Sequence, residues 1–343
     1  MLDLAELSPW MNVALFAAAA VVIWIAGTKL ARLADTIATV TGLGRAIVGI
    51  LLLGGVTSLP EIAVATTATL QGTPALTIND VLGSAAINVV ILAVADAVNG
   101  RRALTAIQDS PVLMLQGVLG MLLLACAAAP AITGERLVAG IGAWSWIMLA
   151  TYLAAIRIIA KSNTDRAWLA AGKDQHAQDD EGNTSGESLQ TLVVKTTAAG
   201  AAILVAGFVL ARTGEGLAEQ SGLGTSFFGA IFLAFATSLP EWSTVIAATR
   251  LRRYDMAISD IFGTNLFNVT IIVLVDALHP GGPVMLEAGN FAAFGAILAL
   301  ALTSFFVIGM LERRDRTVLH LGWDSVAVLL AYVAGVFVLH GLR

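Results

Sequence analysis

Long apolar stretches alternate with short polar breaks along the chain. Ten stretches approach or exceed the roughly 20 apolar residues that a helix needs to cross a bilayer. They lie at residues 11–28, 45–70, 75–98, 110–130, 137–160, 190–212, 225–249, 256–278, 289–311 and 322–341. The pattern predicts an all-α integral membrane protein with ten transmembrane helices. A polar linker at 161–189 separates an N-terminal unit, 1–160, from a C-terminal unit, 190–343.

The two units repeat one polar pattern 180 residues apart. Thr57–Glu61 and Thr237–Glu241 both read TSLPE, within repeat cores at about 42–98 and 222–278. The other recurring polar or glycine pairs are Asp80 and Asp260, Gly83 and Gly263, Asn88 and Asn268, and Asp96 and Asp276. Because each unit has five spans, an odd number, the second must cross in the opposite sense. Two inverted five-helix repeats are typical of secondary transporters, although duplication of a simple scaffold is an alternative.

The TSLPE motif places costly groups inside apolar stretches. Pro60 and Pro240 break the helix and leave carbonyls unpaired one turn upstream, near Val56 and Ala236. A charged carboxylate deep in a span, such as Glu61 or its counterpart, costs at least about 2.5 kcal/mol on insertion scales. The neighbouring hydroxyls belong to Thr57, Ser58, Thr237 and Ser238. Carboxylate, hydroxyl and carbonyl oxygens suit a hard cation such as Na⁺ or Ca²⁺; a purely structural kink is the alternative.

The span after each motif carries polar residues at a spacing of four. Such residues share one helix face, and the two faces consist of Asp80, Ser84 and Asn88, and of Asp260, Thr264 and Asn268. The hydroxyls and amides supply either ligands or hydrogen bonds between helices. Gly83 and Gly263 predict close approach of another helix backbone. We expect both Asp80 and Asp260 in a vestibule or near the interface, because they lie about 12 Å along the helix from Asn. The later pair, Asp96 and Asp276, is expected at the interface.

Composition and charge support membrane insertion. Only 13% of residues are charged, against about 25% in soluble proteins. If the spans alternate, all of the 19 Lys and Arg residues except Arg136, Arg212 and Arg343 lie on one side. Because basic residues mark the cytoplasmic side, we expect an outside N-terminus and a cytoplasmic linker, in a bacterial-type inner membrane. No basic tract predicts nucleic-acid binding, no protein partner is evident, and the single Cys126 cannot form an intrachain disulfide.

The two motifs together resemble a known family. TSLPE followed by DVLGSAAIN, and TSLPE followed by DIFGTNLFN, are similar to the α-repeats of the Ca²⁺/cation antiporter superfamily, sodium/calcium exchanger type. The resemblance implies Ca²⁺ exchange for Na⁺ by alternating access, with no catalytic residue and no cofactor, and gating by sliding of the first and sixth spans. It implies these metal ligands: Glu61, Glu241, Thr57, Ser58, Thr237, Ser238, Ser84, Asn88, Thr264 and Asn268, with the backbone carbonyls of Gly54 and Ala234.

Several positions depart from the family pattern. Val56 and Ala236 stand where the family usually has Gly, and Ala85 stands where it often has Asn. Asn268 replaces the Asp of many members, and the aspartates of the DVLG and DIFG segments replace a more usual Asn. These changes leave the stoichiometry and the counter-ion open.

Three other functions compete with Na⁺/Ca²⁺ exchange. The first is a Ca²⁺/H⁺ or other cation/H⁺ antiporter, since protons can also balance buried carboxylates. The second is an intramembrane hydrolase using Ser58 or Ser238, which needs a general base within reach; the sequence places all four histidines in loops or at span ends. The third is a membrane protein that binds cations without moving them.

Overall fold

The computed structural model describes residues 8–43, 45–100, 102–108, 110–164, 188–221, 227, 229–315, 317–318 and 321–342. The helices of the first repeat are α1 (Pro9–Thr41), α2 (Gly49–Thr57), α3 (Leu59–Leu70), α4 (Pro74–Asn99), α5 (Pro111–Ala128) and α6 (Ala143–Thr164). Those of the second are α7 (Leu189–Ser221), α8 (Gly229–Thr237), α9 (Leu239–Arg250), α10 (Tyr254–Leu278), α11 (Val284–Glu312) and α12 (Trp323–Leu342). Short helical turns lie at Arg45–Val48, Leu104–Ile107 and Pro130–Thr133.

Eight of these helices are long and apolar enough to span a membrane, and two bent pairs complete a set of ten. The bent pairs are α2 with α3 and α8 with α9. The predicted ten transmembrane helices in two inverted five-helix repeats are therefore confirmed. Most of the linker predicted at 161–189 lies outside the described residues.

Each bent pair interrupts its span at the serine of the TSLPE motif. The axes of α2 and α3 differ by 42°, and those of α8 and α9 by 51°. Both α2 and α8 begin with a π-helical turn, Gly49–Leu53 and Gly229–Leu233. Proline stands in the first turn of α3 and of α9, where its missing N–H leaves no hydrogen bond unmade. The prediction that proline breaks these spans is confirmed.

One predicted span begins differently from expectation. The stretch at 137–160 starts with a hairpin, β1 (Leu137–Val138) antiparallel to β2 (Ile141–Gly142), so its helix begins only at Ala143. A matching hairpin, β3 (Thr317–Val318) with β4 (Leu321–Gly322), precedes α12. The first turn places Ala139 and Gly140 at positive φ, 53° and 82°, which no helix tolerates. Apolar composition alone did not distinguish this hairpin from a helix.

The core helices α4 and α10 are buried along most of their length. They pack against the bent pairs of both repeats. The long helices α1 and α7 pack along each other, and each also contacts a bent pair of the opposite repeat. Gly27 of α1 lies against Ser243 of α9, and a Cβ atom on Gly207 of α7 would lie 2.6 Å from Cβ and Cγ of Pro60. The two outer helices therefore touch both breaks directly.

A charged cluster fixes one end of α1. Asp35 Oδ1 lies 2.9 Å from Nε of Arg45, before α2, and 2.9 Å from Nε of Arg253, before α10. The three side chains are only partly exposed. The end of α1 is thus joined to both repeats by ion pairs.

Candidate functional site

The two motif glutamates lie in the first turns of α3 and α9, immediately after the breaks. Glu61 and Glu241 are fully buried. In the part of the chain that the structure describes, neither oxygen of either carboxylate has a hydrogen-bond partner. The helix N-terminus at each position favours a negative charge. Even so, a buried carboxylate without donors is unfavourable unless a cation or a proton balances it.

The glutamates face groups of both repeats. Glu61 lies within electrostatic range of Glu241 and of Asp80. Thr237 of the second repeat lies close to Glu61, and Thr57 of the first lies close to Glu241, though not in hydrogen-bonding geometry. The site is therefore one shared centre, with each carboxylate opposite the threonine of the other motif.

Hydroxyl groups pair across the repeat boundary in the same crosswise way. The hydroxyls of Thr57 and Thr264 are 3.3 Å apart, and those of Ser84 and Thr237 are 3.2 Å apart. All four side chains are fully buried. These pairs are related by the sequence repeat, so they show that the inverted halves meet at their motif positions.

An amide network extends the centre along the core helices. Asn88 Nδ2 donates to Asn265 Oδ1 at 2.9 Å, and Asn265 Nδ2 donates to the carbonyl of Ala85 at 3.0 Å. This arrangement leaves Asn88 Oδ1 without a hydrogen bond among the described residues. Asn268 is also fully buried, and both its amide atoms lack a described partner.

Asn265 is a site residue that the sequence reasoning missed. It stands at the repeat position of Ala85, where the first repeat lacks the amide. The sequence shows the departure at Ala85, and its repeat-related position, 265, carries the asparagine. The sequence could have indicated Asn265, because a polar residue of one inverted repeat can supply the hydrogen bonds that the apolar residue at the matching position of the other repeat cannot make.

The expectation that Asp80 and Asp260 lie in a vestibule is wrong. Both are fully buried. Asp80 Oδ1 accepts a hydrogen bond from Thr237 Oγ1 at 3.2 Å, and Asp260 Oδ2 accepts one from Thr244 Oγ1. The core helices are buried over the roughly two turns that separate these aspartates from the asparagines, so distance along the helix does not bring these residues to the surface.

The predicted carbonyl ligands already take part in hydrogen bonds. Ser58 Oγ donates to the Gly54 carbonyl at 2.7 Å. The Ala234 carbonyl oxygen lies 3.4 Å from Ser84 Oγ and 3.3 Å from Thr237 Oγ1, within hydrogen-bonding distance of both hydroxyls. Each carbonyl oxygen therefore lies at the wall of the centre, beside the hydroxyls of the motif.

The second serine of the repeat is arranged differently from the first. Ser238 Oγ has no hydrogen-bond partner in the described ranges, and Ser58 Oγ is occupied by the carbonyl of Gly54. Neither serine is hydrogen-bonded to a His or Lys within those ranges. Among the described residues, neither serine therefore has a hydrogen-bonded His or Lys to act as the general base of a hydrolase.

Glycines in the core helices allow the helices to approach closely, as predicted. A Cβ atom on Gly83 would lie 2.7 Å from Cα of Ala230, in the π-helical turn of α8. One on Gly263 would lie 2.7 Å from Cα of Ile50, in that of α2. Each core helix thus touches the backbone of the bent span of the opposite repeat.

Asp96 and Asp276 lie at the ends of the core helices, away from the glutamates. Both are almost fully buried. Asp96 accepts hydrogen bonds from the backbone N–H groups of Leu104 and Gly322. Asp276 accepts equivalent bonds from Val284 and Gly142. These carboxylates hold the connections between helices at the ends of the core.

The donor set of the centre consists of oxygen atoms. No group of three His, Cys, Asp or Glu side chains suited to a metal ion occurs among the described residues. The centre offers two facing carboxylates together with hydroxyl, amide and carbonyl oxygens. Such a set fits a hard cation and does not fit a transition metal that prefers Cys or His.

Comparison with known proteins identifies relatives along nearly the whole chain. The model of a family described as "Sodium/calcium exchanger protein" matches residues 11–160 and 192–340. The chain is 24% identical over 319 residues to "Putative antiporter CaxA" of Alkalimonas amylolytica, covering 88% of this chain and 89% of that protein. A shorter match, 35% over 68 residues, covers 20% of this chain and 21% of the inner membrane protein YrbG of Escherichia coli K12.

Solved structures share the fold. The sodium-calcium exchanger NCX_Mj soaked with 100 mM Na⁺ and 10 mM Sr²⁺ superposes with a TM-score of 0.69 at 16% identity, covering 96% of this chain and 98% of that chain. The same exchanger soaked with 2.5 mM Na⁺ and 0.1 mM Ca²⁺ gives 0.68 at 16% identity, covering 95% and 97%.

Proposed function

The chain belongs to the sodium/calcium exchanger protein family, and from this premise we propose that it exchanges Ca²⁺ for Na⁺ across a membrane by alternating access. Both ions are transported substrates, and no cofactor is needed. The observation that carries the proposal is the pair Glu61 and Glu241, fully buried and without hydrogen bonds to their oxygens in the described chain.

The two glutamates are the principal ligands in this proposal. Neutral oxygens complete the coordination, because Ca²⁺ takes six to eight oxygen ligands. They are drawn from Thr57, Ser58, Thr237, Ser238, Ser84, Thr264, Asn88 and Asn268, with the carbonyls of Gly54 and Ala234. Asn88 fits this role because its Nδ2 is held by Asn265 and its Oδ1 has no described partner.

Exchange follows from the charge of the centre. Two nearby buried carboxylates repel each other, and the low dielectric strengthens the repulsion. One divalent cation or several monovalent cations relieve it, so that the empty centre is the unfavourable state. A protein that avoids changing sides while empty must carry one ion out before it returns with the other, which is antiport.

Alternating access rests on the outer helices. Both α1 and α7 contact the breaks through Gly27 and Gly207. We propose that these two helices slide past the core and open the centre to one side and then to the other. The basic residues orient the chain with its N-terminus outside and its linker in the cytoplasm of a bacterial-type inner membrane.

Proton coupling is the second candidate. Asp80 and Asp260 add two buried carboxyl groups beside the glutamates, and buried carboxyl groups carry protons readily. A Ca²⁺/H⁺ or other cation/H⁺ antiporter would use them to balance the centre. This observation makes the counter-ion the property to measure.

Transport by purified protein in liposomes tests the proposal. Vesicles loaded with Na⁺ should take up radioactive Ca²⁺ on dilution into Na⁺-free buffer. Glu61→Gln and Glu241→Gln should each lower uptake at least about tenfold, a loss of 1.4 kcal/mol or more. Glu287→Gln, which alters a partly exposed carboxylate paired with His279, should transport normally.

The other outcomes assign other functions. Uptake driven by a pH gradient, but not by Na⁺, would replace Na⁺ coupling with H⁺ coupling. Equilibrium Ca²⁺ binding without flux under either gradient would indicate a protein that binds cations without moving them. Normal flux in both glutamine variants would contradict the ligand assignment.

A further inference from the structure

A groove of about 670 Å³ lies between the two outer helices, apart from the ion-binding centre. Its walls come from α1 and α7 alone, and no proposed ion ligand lines it. Ten residues line it: Val22, Ile25, Ala26, Lys29, Arg32, Leu33, Lys195, Ala198, Ala199 and Ala202. The volume is within the range of pockets that hold small organic molecules.

The groove is apolar along its length and basic at one end. Val22, Ile25 and alanines of both helices form the apolar part. Alanine side chains are short, and they leave room between the helices that larger residues would fill. Lys29, Arg32 and Lys195 are all exposed and lie on the lining. The lining contains three cations and no acidic residue.

The position of the groove in the membrane indicates the chemistry of its ligand. Val22 and Ile25 are exposed side chains of a transmembrane helix, so the apolar end faces hydrocarbon. The basic residues lie one to two turns further along α1, and Lys195 lies near the start of α7. Long basic side chains at a span end reach toward the headgroup region. A ligand here needs an apolar tail and an anionic head.

We propose that the groove binds an anionic phospholipid. One acyl chain lies along the alanine-lined part between α1 and α7, and the phosphate lies among Lys29, Arg32 and Lys195. Basic pockets between transmembrane helices are suited to anionic headgroups. The proposal does not depend on which cations the protein exchanges.

Such a lipid would also act on the moving parts of the protein. It joins α1 to α7, whose Gly27 and Gly207 lie against Ser243 of α9 and Pro60 of α3. Holding these helices together favours one arrangement of the pair over the other. Transport should therefore depend on the fraction of anionic lipid in the membrane. This dependence rests on the proposed function, whereas the lipid-binding site itself does not.

Lipid retention measured by native mass spectrometry tests the binding site. Delipidated protein in detergent is incubated with phosphatidylglycerol or with phosphatidylcholine of the same chains. The wild type should retain one phosphatidylglycerol at concentrations at least tenfold lower than phosphatidylcholine. The triple variant Lys29→Gln/Arg32→Gln/Lys195→Gln should lose this preference.

Two further variants isolate charge and shape. Arg157→Gln/Arg250→Gln/Arg252→Gln removes three exposed cations outside the groove and should bind phosphatidylglycerol as the wild type does. Ala199→Phe keeps every cation but fills the groove, and it should reduce phosphatidylglycerol retention at least tenfold. This variant keeps the proposal testable if the triple variant does not fold.

Several results would overturn the site. Equal retention of both lipids by the wild type, or unchanged retention in the triple variant or in Ala199→Phe, would exclude it. Displacement of phosphatidylglycerol by millimolar inorganic phosphate alone would indicate an anion site rather than a lipid site. Because retention is measured without a gradient, a failure of Ca²⁺ transport leaves this outcome unaffected.

Discussion

The carboxylate of Asp96, near the end of α4, accepts a hydrogen bond at 2.8 Å from the hydroxyl of Ser325, at the start of α12. The repeat-related Asp276 accepts one at 2.8 Å from Ser145, in α6. Each bond joins the core helix of one repeat to the last span of the other. The two repeats are therefore tied together at both ends of the core.

Loss of either carboxylate should destabilise the fold. In Asp96→Asn or Asp276→Asn, one oxygen becomes an amide N–H₂ group that faces backbone donors, and charge-assisted bonds are lost. We expect each variant to lower the free energy of unfolding by about 2–3 kcal/mol. Thermal or denaturant unfolding in detergent measures this loss, and Glu287→Gln serves as the exposed control. Wild-type stability in both variants would show that these bonds contribute little.

Asn265 should influence ion affinity through Asn88. In Asn265→Ala, the Asn88 amide loses its acceptor and the Ala85 carbonyl loses its donor. Without this hydrogen bond Asn88 is no longer held in position, and Ca²⁺ binding should weaken by about 1 kcal/mol. The Ca²⁺ concentration for half-maximal transport should therefore rise about fivefold. Asn99→Ala, at the far end of α4, is the control. An unchanged concentration dependence would show that Asn265 does not position Asn88.

The close helix contacts should not accept a methyl group. Gly83→Ala and Gly263→Ala place a Cβ atom 2.7 Å from a backbone carbon of a bent span. Overpacking of this type costs about 1–3 kcal/mol, so both variants should unfold at lower temperature. At Gly55 nothing lies within 4 Å of a built Cβ atom. Gly55→Ala should be neutral or stabilising because Ala favours the helix by about 1 kcal/mol; a loss equal to that of Gly83→Ala would contradict this account.

Asp315 should give a small pH-dependent contribution to stability. The backbone N–H of Ala103 and the Arg102 guanidinium hold the pKa of the Asp315 carboxyl below its ordinary value of 3.8. A lowered pKa in the folded state means that this stability is present above about pH 4. It is lost as the pH falls through the lowered pKa.

The matching measurement is thermal unfolding of the wild type and Asp315→Asn from neutral pH down to pH 3. The difference between the two should be largest near neutral pH and shrink toward acid pH. Arg102→Gln keeps the hydrogen bond from the Ala103 N–H to Asp315. Its unfolding temperature should therefore fall below that of the wild type by less than that of Asp315→Asn, with the same dependence on pH. A difference that grows as the pH falls would contradict the assignment.

The sequence predicted the architecture because lipid imposes a simple rule: each helix that crosses the bilayer needs about 20 apolar residues. Ten apolar stretches, an odd number per repeat and a proline in each TSLPE motif were sufficient to predict inverted repeats and broken spans. The rule says nothing about the first residues of a span. Leu137 and Val138 are apolar, yet they belong to a hairpin whose turn is defined by the backbone of Ala139 and Gly140.

The centre was predicted less completely because its contacts cross between repeats. Asp80 was placed toward the surface by its distance along α4. Its burial depends on α8, which approaches α4 at Gly83, and Thr237 then donates to it. Asn265 was missed for the same reason, since its partners Asn88 and Ala85 belong to the other repeat. Such pairings follow from helix packing rather than from the pattern along one segment.

The ion pairs of Asp35 with Arg45 and Arg253 break the twofold relation between the repeats. At the repeat-related positions the sequence has Glu215, Thr225 and Thr73, so neither arginine has a basic counterpart. Sliding of α1 would break these pairs at one face of the membrane, and the sequence has no arginine at the matching positions of the other repeat. About 1 kcal/mol, the upper range for a partly exposed pair, changes a population ratio about fivefold. The resting protein would then spend unequal times open to the two compartments, and its affinity measured from one compartment would differ from that measured from the other.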